Sequence, residues 1–236
     1  MGEAFAETGA QVWVTDVDPK ALATLPPDWR GSHVDVANEP AMAALFAEIE
    51  DTWGGLDTVC ANAGIAGPTA LVEDVALKDW HACLSVNLDG AFLTAKYATP
   101  MLKRAGQGAV IFTTSTAGQY GYPNRAPYAA AKWAVIGLMK TLAMELGPHG
   151  IRANAIAPGS VEGPRMEGVL QREAAAKGMS RDQVYAGYAA GTSMKSFVEA
   201  RDIAAMAVFL ASPAARLVSG QVIAVDGHTV NPDPKL

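Results

Sequence analysis

Short apolar runs rich in β-branched residues alternate with longer runs of helical periodicity along most of the chain. The strand-like runs lie near residues 11–15, 31–34, 56–60, 108–114, 151–156 and 221–225. The main helical runs lie near residues 39–53, 78–104, 125–147 and 200–211. Alternating strands and helices are typical of βαβ units, in which the strands run parallel. The pattern therefore predicts an α/β fold with a doubly wound, Rossmann-like parallel sheet in a single domain over residues 1–236.

The composition supports one globular domain and excludes several kinds of partner. With 236 residues, 50% of them hydrophobic and 18% charged, the chain is long enough to bury a large core. A formal charge of -6 and a pI near 5.2 leave no basic surface for nucleic acid or an anionic membrane. No apolar run approaches the roughly 18 residues of a membrane span, and no basic segment of a signal peptide opens the chain. We expect neither nucleic acid nor membrane as a partner.

Cysteine and histidine usage points to reduced thiols and to no metal site. Cys60 at a predicted strand end and Cys83 in a predicted helix suit the core of a cytosolic protein, and a disulfide between them is the less favoured alternative. The four histidines are scattered and lack metal-ligand spacing: His33, His81, His149 and His228. The sequence therefore predicts a cytoplasmic protein without a metal.

A phenol and an ammonium group lie one helical turn apart behind a strand-end hydroxyl. Residues 108–114 read as a buried strand that ends at Ser115, and Tyr128-Ala-Ala-Ala-Lys132 opens the next helix. Because residues four apart share a helix face, the Lys132 charge can lie near the Tyr128 oxygen and lower its pKa. Proton transfer near neutral pH needs a fall of about three pKa units, or roughly 4 kcal/mol. The three residues form a candidate proton-transfer site, although Tyr-x-x-x-Lys alone is a weak signal.

Further ordered motifs strengthen this interpretation. They are Asp35-Val36, Asn62-Ala63-Gly64, Asn87 in Val86-Asn-Leu-Asp-Gly-Ala-Phe92, Gly150-Ile-Arg-Ala-Asn-Ala-Ile-Ala-Pro-Gly159 and Ser219-Gly-Gln-Val-Ile-Ala-Val-Asp-Gly227. Together with Ser115, Tyr128 and Lys132, they resemble the short-chain dehydrogenase/reductase family over nearly the whole chain. The resemblance implies an oxidoreductase with a Rossmann-like fold.

The resemblance implies roles for four catalytic residues. Tyr128 would exchange a proton with the substrate oxygen while hydride moves to or from a nicotinamide, and Ser115 would hydrogen-bond the same oxygen. Lys132 would bind the nicotinamide ribose and lower the pKa of Tyr128. Asn87 would position a water in the proton relay. For Asn87 alone, a helix kink or a buried amide is an equal alternative.

The cofactor expected from the resemblance is NAD. Asp16, directly after the strand Val12-Trp-Val-Thr15, could accept hydrogen bonds from both adenosine ribose hydroxyls and would repel the 2′-phosphate of NADP. The alternative is a solvated turn aspartate beside Asp18-Pro19. The remaining expected cofactor contacts are Asp35 and Val36 at the adenine, Asn62, Ala63 and Gly64 at a close turn, and Pro158, Gly159 and Val161 beside the nicotinamide.

The glycine-rich phosphate loop of this family is absent from the chain. Residues 1–12 resemble the last turns of the family's first helix running into its second strand. The ribose-binding acid normally follows the glycines by about twenty residues, which would place them just before Met1 if that acid is Asp16. We therefore expect an N-terminally truncated domain that lacks the central first strand, and Met1 to be an internal methionine of a longer natural chain.

Two functions remain open from the sequence. The first is an NAD-dependent dehydrogenase or reductase acting on a secondary alcohol or ketone. The second is a catalytically impaired, truncated paralogue that serves as an oligomer partner. By resemblance, residues 160–198 form a substrate lid, and the two long helices at 78–104 and 125–147 build a homo-tetramer or dimer. Arg165 and Arg172 in the lid could pair an anionic substrate, although solvated arginines or pairs with Glu162 and Glu173 are more usual.

Overall fold

A computed structural model describes residues 1–232 of the protein. Its strands are β1 (Trp13–Asp16), β2 (Arg30–His33), β3 (Thr58–Ala61), β4 (Gly108–Thr113), β5 (Ile151–Pro158) and β6 (Val222–Val225). Its α-helices are α1 (Gly2–Ala6), α2 (Pro19–Leu22), α3 (Glu39–Trp53), α4 (Leu77–Leu84), α5 (Gly90–Ala105), α6 (Ala126–Leu146), α7 (Pro164–Lys177), α8 (Arg181–Ala190) and α9 (Ala200–Ala211). Every predicted strand and principal helix is present within a few residues of its predicted position.

The strands form two parallel sheets. The larger has the order β3-β4-β5-β6, and β1 pairs with β2 in the smaller. In the larger sheet, Phe112 of β4 lies opposite Ala61 of β3 and Ala155 of β5. Parallel pairing brings the carboxyl ends of neighbouring strands to one edge, where ligands bind in sheets of this kind.

Helices cover both faces of the larger sheet. Val110 and Phe112 of β4 belong to a large cluster with residues of α3, α5 and α6, whereas Ile111 faces a second cluster with Ile203 and Leu210 of α9. This alternation follows from the two-residue period of a strand, and two buried faces explain why β4 reads as a continuous apolar run. The predicted α/β class is confirmed.

The β-strands divide between two separate parallel sheets. Within residues 1–232, β1 pairs only with β2, and β3 pairs only with β4. Trp13 of β1 and Val59 of β3 nevertheless pack against the same large cluster. Within residues 1–232, the outer edge of β3 and the edge of β1 that faces away from β2 have no strand partner.

The helix predicted over 78–104 is interrupted. A π-helical segment at Ser85–Asp89 separates α4 from α5, and such bulges are frequent at functional sites. The excursion at 160–198 folds into α7 and α8 around a small cluster of its own, formed by Leu170, Ala174, Val184 and Tyr188. In the part of the chain that the structure describes, no helix is long and apolar enough to cross a membrane.

Candidate active site

A cavity of about 390 Å³ lies at the carboxyl ends of β4 and β5. Its lining includes seven residues predicted from the sequence: Asn62, Ser115, Tyr128, Lys132, Pro158, Gly159 and Val161. They come from the ends of β3, β4 and β5, from helix α6 and from the segment that leads into α7. Parallel strands bring these sequence-distant positions to one edge, so the topology assembles the site.

Tyr128 and Lys132 lie on one face of α6, as the four-residue spacing predicts. The Lys132 side chain is 2% exposed, and its Nζ donates a 2.9 Å hydrogen bond to the carbonyl of Thr113 at the end of β4. Nζ lies 5.7 Å from the centroid of the Tyr128 ring. The hydrogen bond to β4 holds the ammonium group beside the tyrosine and explains how a lysine stays buried without a carboxylate.

Several cations act on the acidity of Tyr128. Burial raises the pKa of the phenol, but Lys132, Arg165, a hydrogen bond from Ser115 and Arg125 together bring the pKa below its ordinary value. Burial also lowers the pKa of Lys132, and Arg165 lowers it further. The site therefore shifts the pKa of Tyr128 downward, which is the direction that proton transfer near neutral pH requires.

Asn87 sits in the π-helical segment and is 1% exposed. Its amide nitrogen donates to the carbonyls of Ile65 at 3.0 Å and Cys83 at 2.9 Å, while its Oδ1 has no hydrogen-bond partner. A Cβ atom on Gly64 would lie 2.6 Å from that Oδ1 and 3.5 Å from Lys132 Nζ. Glycine at 64 thus allows the loop after β3 to approach both side chains, and a buried oxygen without a partner is suited to a water or ligand donor.

The predicted adenosine contacts lie away from the cavity. Asp16 ends β1 and is exposed, with its Oδ1 accepting from the backbone N–H of Asp18 at 2.9 Å. Asp35 follows β2 and its Oδ1 accepts from the N–H of Ala37, whereas Val36 is buried in the large core against Gly90. Ala63 is exposed directly after β3. These residues lie at or just after the carboxyl ends of three strands, and an exposed carboxylate can accept hydrogen bonds from ribose hydroxyls, so the residues present fit a dinucleotide.

The nicotinamide side of the predicted site is tightly packed. The N–H of Gly159 donates to the carbonyl of Val225 at 3.0 Å, and a Cβ at Gly159 would lie 2.8 Å from the Cα of Asp226. Val161 bridges to Val198, which ties the start of the segment before α7 to the segment before α9. The close backbone contact at Gly159 explains why this turn needs a glycine.

Two arginines beside Tyr128 complete the site. The Arg125 guanidinium carbon lies 4.7 Å from the Tyr128 ring centroid, and that of Arg165 lies 5.9 Å away. Of the two arginines considered from the sequence, Arg165 lines the cavity and Arg172 does not, and Arg125 lines it without having been predicted. Its position three residues before Tyr128, at the N-terminal boundary of α6, was the signal available in the sequence.

Two of the four histidines make polar side-chain contacts. A ring nitrogen of His33 lies 3.0 Å from the carbonyl of Val17, and His228 Nδ1 lies 2.5 Å from Ser193 Oγ. Across residues 1–232, no group of three or more His, Cys, Asp or Glu side chains could hold a metal ion.

Comparisons with known proteins agree with this geometry. Residues 1–228 match the family model described as enoyl-(acyl carrier protein) reductase. The chain is 37% identical over 195 residues to trans-4-hydroxycyclohexanecarboxylate dehydrogenase of Sinomonas cyclohexanicum, covering 83% of this chain and 68% of that protein. It is 32% identical over 233 residues to 3-oxoacyl-[acyl-carrier-protein] reductase of Thermotoga maritima, covering 96% and 90%.

Solved structures show the same fold. NAD+-bound xylitol dehydrogenase superposes with a TM-score of 0.92 at 26% identity, covering 95% of this chain and 91% of that chain. Levodione reductase superposes with a TM-score of 0.87 at 31% identity, covering 94% and 88%. Fold and relatives define a Rossmann-like α/β oxidoreductase. The chain belongs to the short-chain dehydrogenase/reductase family, which confirms the family predicted from its motifs.

Proposed function

We propose that the protein transfers a hydride between NAD and the carbinol or carbonyl carbon of a small secondary alcohol or ketone. The observation that supports this most directly is the position of Tyr128, which lies in a cavity at the strand ends with Ser115 beside it and cations lowering its pKa. Several relatives are dehydrogenases of secondary alcohols, including the hydroxycyclohexanecarboxylate and xylitol enzymes. The protein is therefore an NAD-dependent oxidoreductase of this substrate class.

Four residues have separate roles in the proton transfer. During alcohol oxidation, the Tyr128 phenolate accepts the hydroxyl proton, and during ketone reduction the phenol returns it. Ser115 donates a hydrogen bond to the same substrate oxygen, and the Lys132 ammonium stabilises the phenolate. Asn87 Oδ1, buried without a partner, positions a water that links Lys132 to solvent.

The cofactor is held by residues that follow the strand ends. When bound, NAD supplies the hydride acceptor for oxidation and NADH the donor for reduction. Asp16 binds the adenosine ribose, Asp35 and Val36 approach the adenine, and Asn62, Ala63 and Gly64 face the cofactor through their backbone. Lys132 binds the nicotinamide ribose, and Pro158, Gly159 and Val161 contact the nicotinamide.

The domain, assembly and compartment are part of the same proposal. Residues 1–236 act as one dinucleotide-binding domain, with 160–198 as a lid whose helices α7 and α8 set substrate specificity. The protein forms a homo-tetramer or dimer through α5 and α6, which expose Phe92, Trp133 and Met144. A cytoplasmic location is supported by the free thiols of Cys60 and Cys83, since disulfides are rare in cytosolic proteins.

The activity is tested by binding and turnover together. We expect NADH to bind more tightly than NADPH by calorimetry. We also expect NAD reduction, followed by absorbance, with at least one of trans-4-hydroxycyclohexanecarboxylate, cyclohexanol and xylitol. Failure to bind either reduced cofactor, together with no turnover of these alcohols, contradicts the proposed function.

Cofactor choice depends on Asp16. Replacing Asp16→Ser removes the charge that repels a 2′-phosphate and weakens the bonds to the ribose hydroxyls. We expect the ratio of kcat/KM for NAD to that for NADP to fall roughly 10- to 100-fold, the range for a hydrogen bond to a charged group. Steady-state kinetics with both cofactors measure this ratio.

The matched control is Asp18→Ser, because the Asp18 carboxylate caps α2 through the N–H of Lys20 and serves the same turn. Serine preserves that cap, so the cofactor ratio of this variant should equal that of the unmodified protein. An unchanged ratio in Asp16→Ser would mean that Asp16 is only a turn residue.

A further inference from the structure

Two arginines from different elements meet at the catalytic tyrosine without a carboxylate partner. Arg125 precedes α6 and Arg165 lies in the first turn of α7, and both line the cavity and approach the Tyr128 ring. Within residues 1–232, neither arginine forms an ion pair with an acidic side chain. Positive charge therefore accumulates on one side of the reaction centre.

Arg125 is the buried member of the pair. It is 8% exposed, its Nη2 donates to the carbonyl of Ala66 at 3.2 Å, and its Nε has no hydrogen-bond partner. An arginine cannot lose its proton to relieve burial, and buried donors of this kind nearly always have a partner. The unused donor points to an acceptor brought by a ligand.

Arg165 adds an exposed guanidinium beside a helix N-terminus. Helix α7 has Gly163 at its N-cap with no side-chain hydrogen bond to the first turn. The acid in that turn, Glu167, is already engaged, because it accepts from Arg181 and from Gln171. The uncapped end and Arg165 both favour an anion at the mouth of the cavity.

The acidic groups around the cavity have other partners. Glu162 accepts a 2.7 Å hydrogen bond from the hydroxyl of Tyr185. Glu173 accepts from Tyr188 at 2.5 Å and pairs with Lys177 at 2.7 Å. Neither carboxylate neutralises Arg125 or Arg165, so the compensating negative charge is left for a ligand to supply.

We propose, resting on the proposed function, that the alcohol or ketone substrate carries a carboxylate that Arg165 and Arg125 bind beside Tyr128. Two guanidinium groups match the planar, two-oxygen geometry of a carboxylate. Both lie within 5.9 Å of the ring whose hydroxyl exchanges the proton, so the carboxylate lies a few bonds from the reacting carbon. The substrate class is a small hydroxy or oxo acid.

The first test uses a ligand that cannot react. Cyclohexanecarboxylate is titrated by calorimetry into the NADH-loaded protein, with cyclohexanecarboxamide as its neutral match. We expect the carboxylate to bind at least tenfold more tightly, and Arg165→Met to abolish that preference while leaving the dissociation constant of NADH unchanged. Arg172→Met, an exposed arginine of α7 outside the cavity, serves as the control and should retain the preference.

The second test uses turnover. In Arg165→Met, the ratio of kcat/KM for 4-hydroxycyclohexanecarboxylate to that for cyclohexanol should fall roughly 10- to 100-fold, the range for a charge-assisted hydrogen bond. The effect of Arg165 on the pKa of Tyr128 is common to both substrates and cancels in this ratio. Arg125→Met should act in the same direction, and its melting temperature is measured because Arg125 is buried. Equal binding of carboxylate and amide by the unmodified protein overturns the proposal.

The tests separate this proposal from its alternatives. If Arg165→Met weakens NADH binding instead of carboxylate binding, the arginine serves the cofactor phosphates and the carboxylate assignment is wrong. If NADH binds and cyclohexanol is oxidised but the carboxylate has no advantage, the carboxylate assignment fails while the dehydrogenase function stands. Loss of both NADH binding and turnover contradicts the proposed function itself.

Discussion

Replacing Tyr128→Phe should lower kcat by roughly 10²- to 10⁴-fold, the range for loss of a general acid or base. Phenylalanine keeps the ring that packs beside Arg125 and Lys132 but removes the hydroxyl that exchanges the substrate proton. The dissociation constant of NADH should change less than about threefold, since the ring itself remains in place. Steady-state turnover and calorimetric titration of NADH measure the two quantities separately.

Tyr120→Phe is the matched control. Its hydroxyl donates to the carbonyl of Thr229 at 3.2 Å, and it lies on the loop between Ser115 and α6, outside the cavity lining. This variant should keep the turnover of the unmodified protein. Equal turnover in Tyr128→Phe and the unmodified protein would exclude Tyr128 as the proton donor. A protein that binds NADH but turns over no alcohol in either form would favour the catalytically impaired oligomer partner.

The central part of the site could be predicted because its geometry is local. Tyr128 and Lys132 are joined by helical periodicity, and Ser115 and Asn62 each follow an apolar run that ends at the same sheet edge. Strand and helix periods decide these relations before tertiary packing begins. Family resemblance added Asn87, which has no local signal of its own beyond its place in a helical run.

The other features depend on packing that periodicity does not encode. The helix predicted over 78–104 is divided by a π-helical segment at Ser85–Asp89, from which Asn87 donates to the carbonyl of Ile65. The meeting of Arg125 and Arg165 follows from how α7 folds over the cavity, which is a contact between segments 40 residues apart in sequence.

The rate also depends on how Lys132 sets the pKa of Tyr128. Among the groups that lower this pKa, Lys132 has the largest effect, so Lys132→Met should raise it. Alcohol oxidation needs the phenolate, and its rate rises with pH through the pKa of Tyr128. The rising limb of the pH profile should therefore move to higher pH, and activity at neutral pH should fall about tenfold for each unit of that shift. Measuring kcat/KM for oxidation against pH tests this.

Ketone reduction tests the direction of this pKa shift independently, because the reduction needs the protonated phenol. In Lys132→Met, the falling limb of the pH profile for reduction should also move to higher pH. At a fixed alkaline pH, the substitution should therefore slow alcohol oxidation and speed ketone reduction. Lys140→Met is the control, since Lys140 lies on the same helix but donates to the carbonyl of Gly220 and is exposed. If both limbs stay in place in Lys132→Met while KM for NAD rises, Lys132 binds the ribose without setting the acidity of Tyr128. Arg165, the next cation in order of effect, would then dominate the electrostatics of the site.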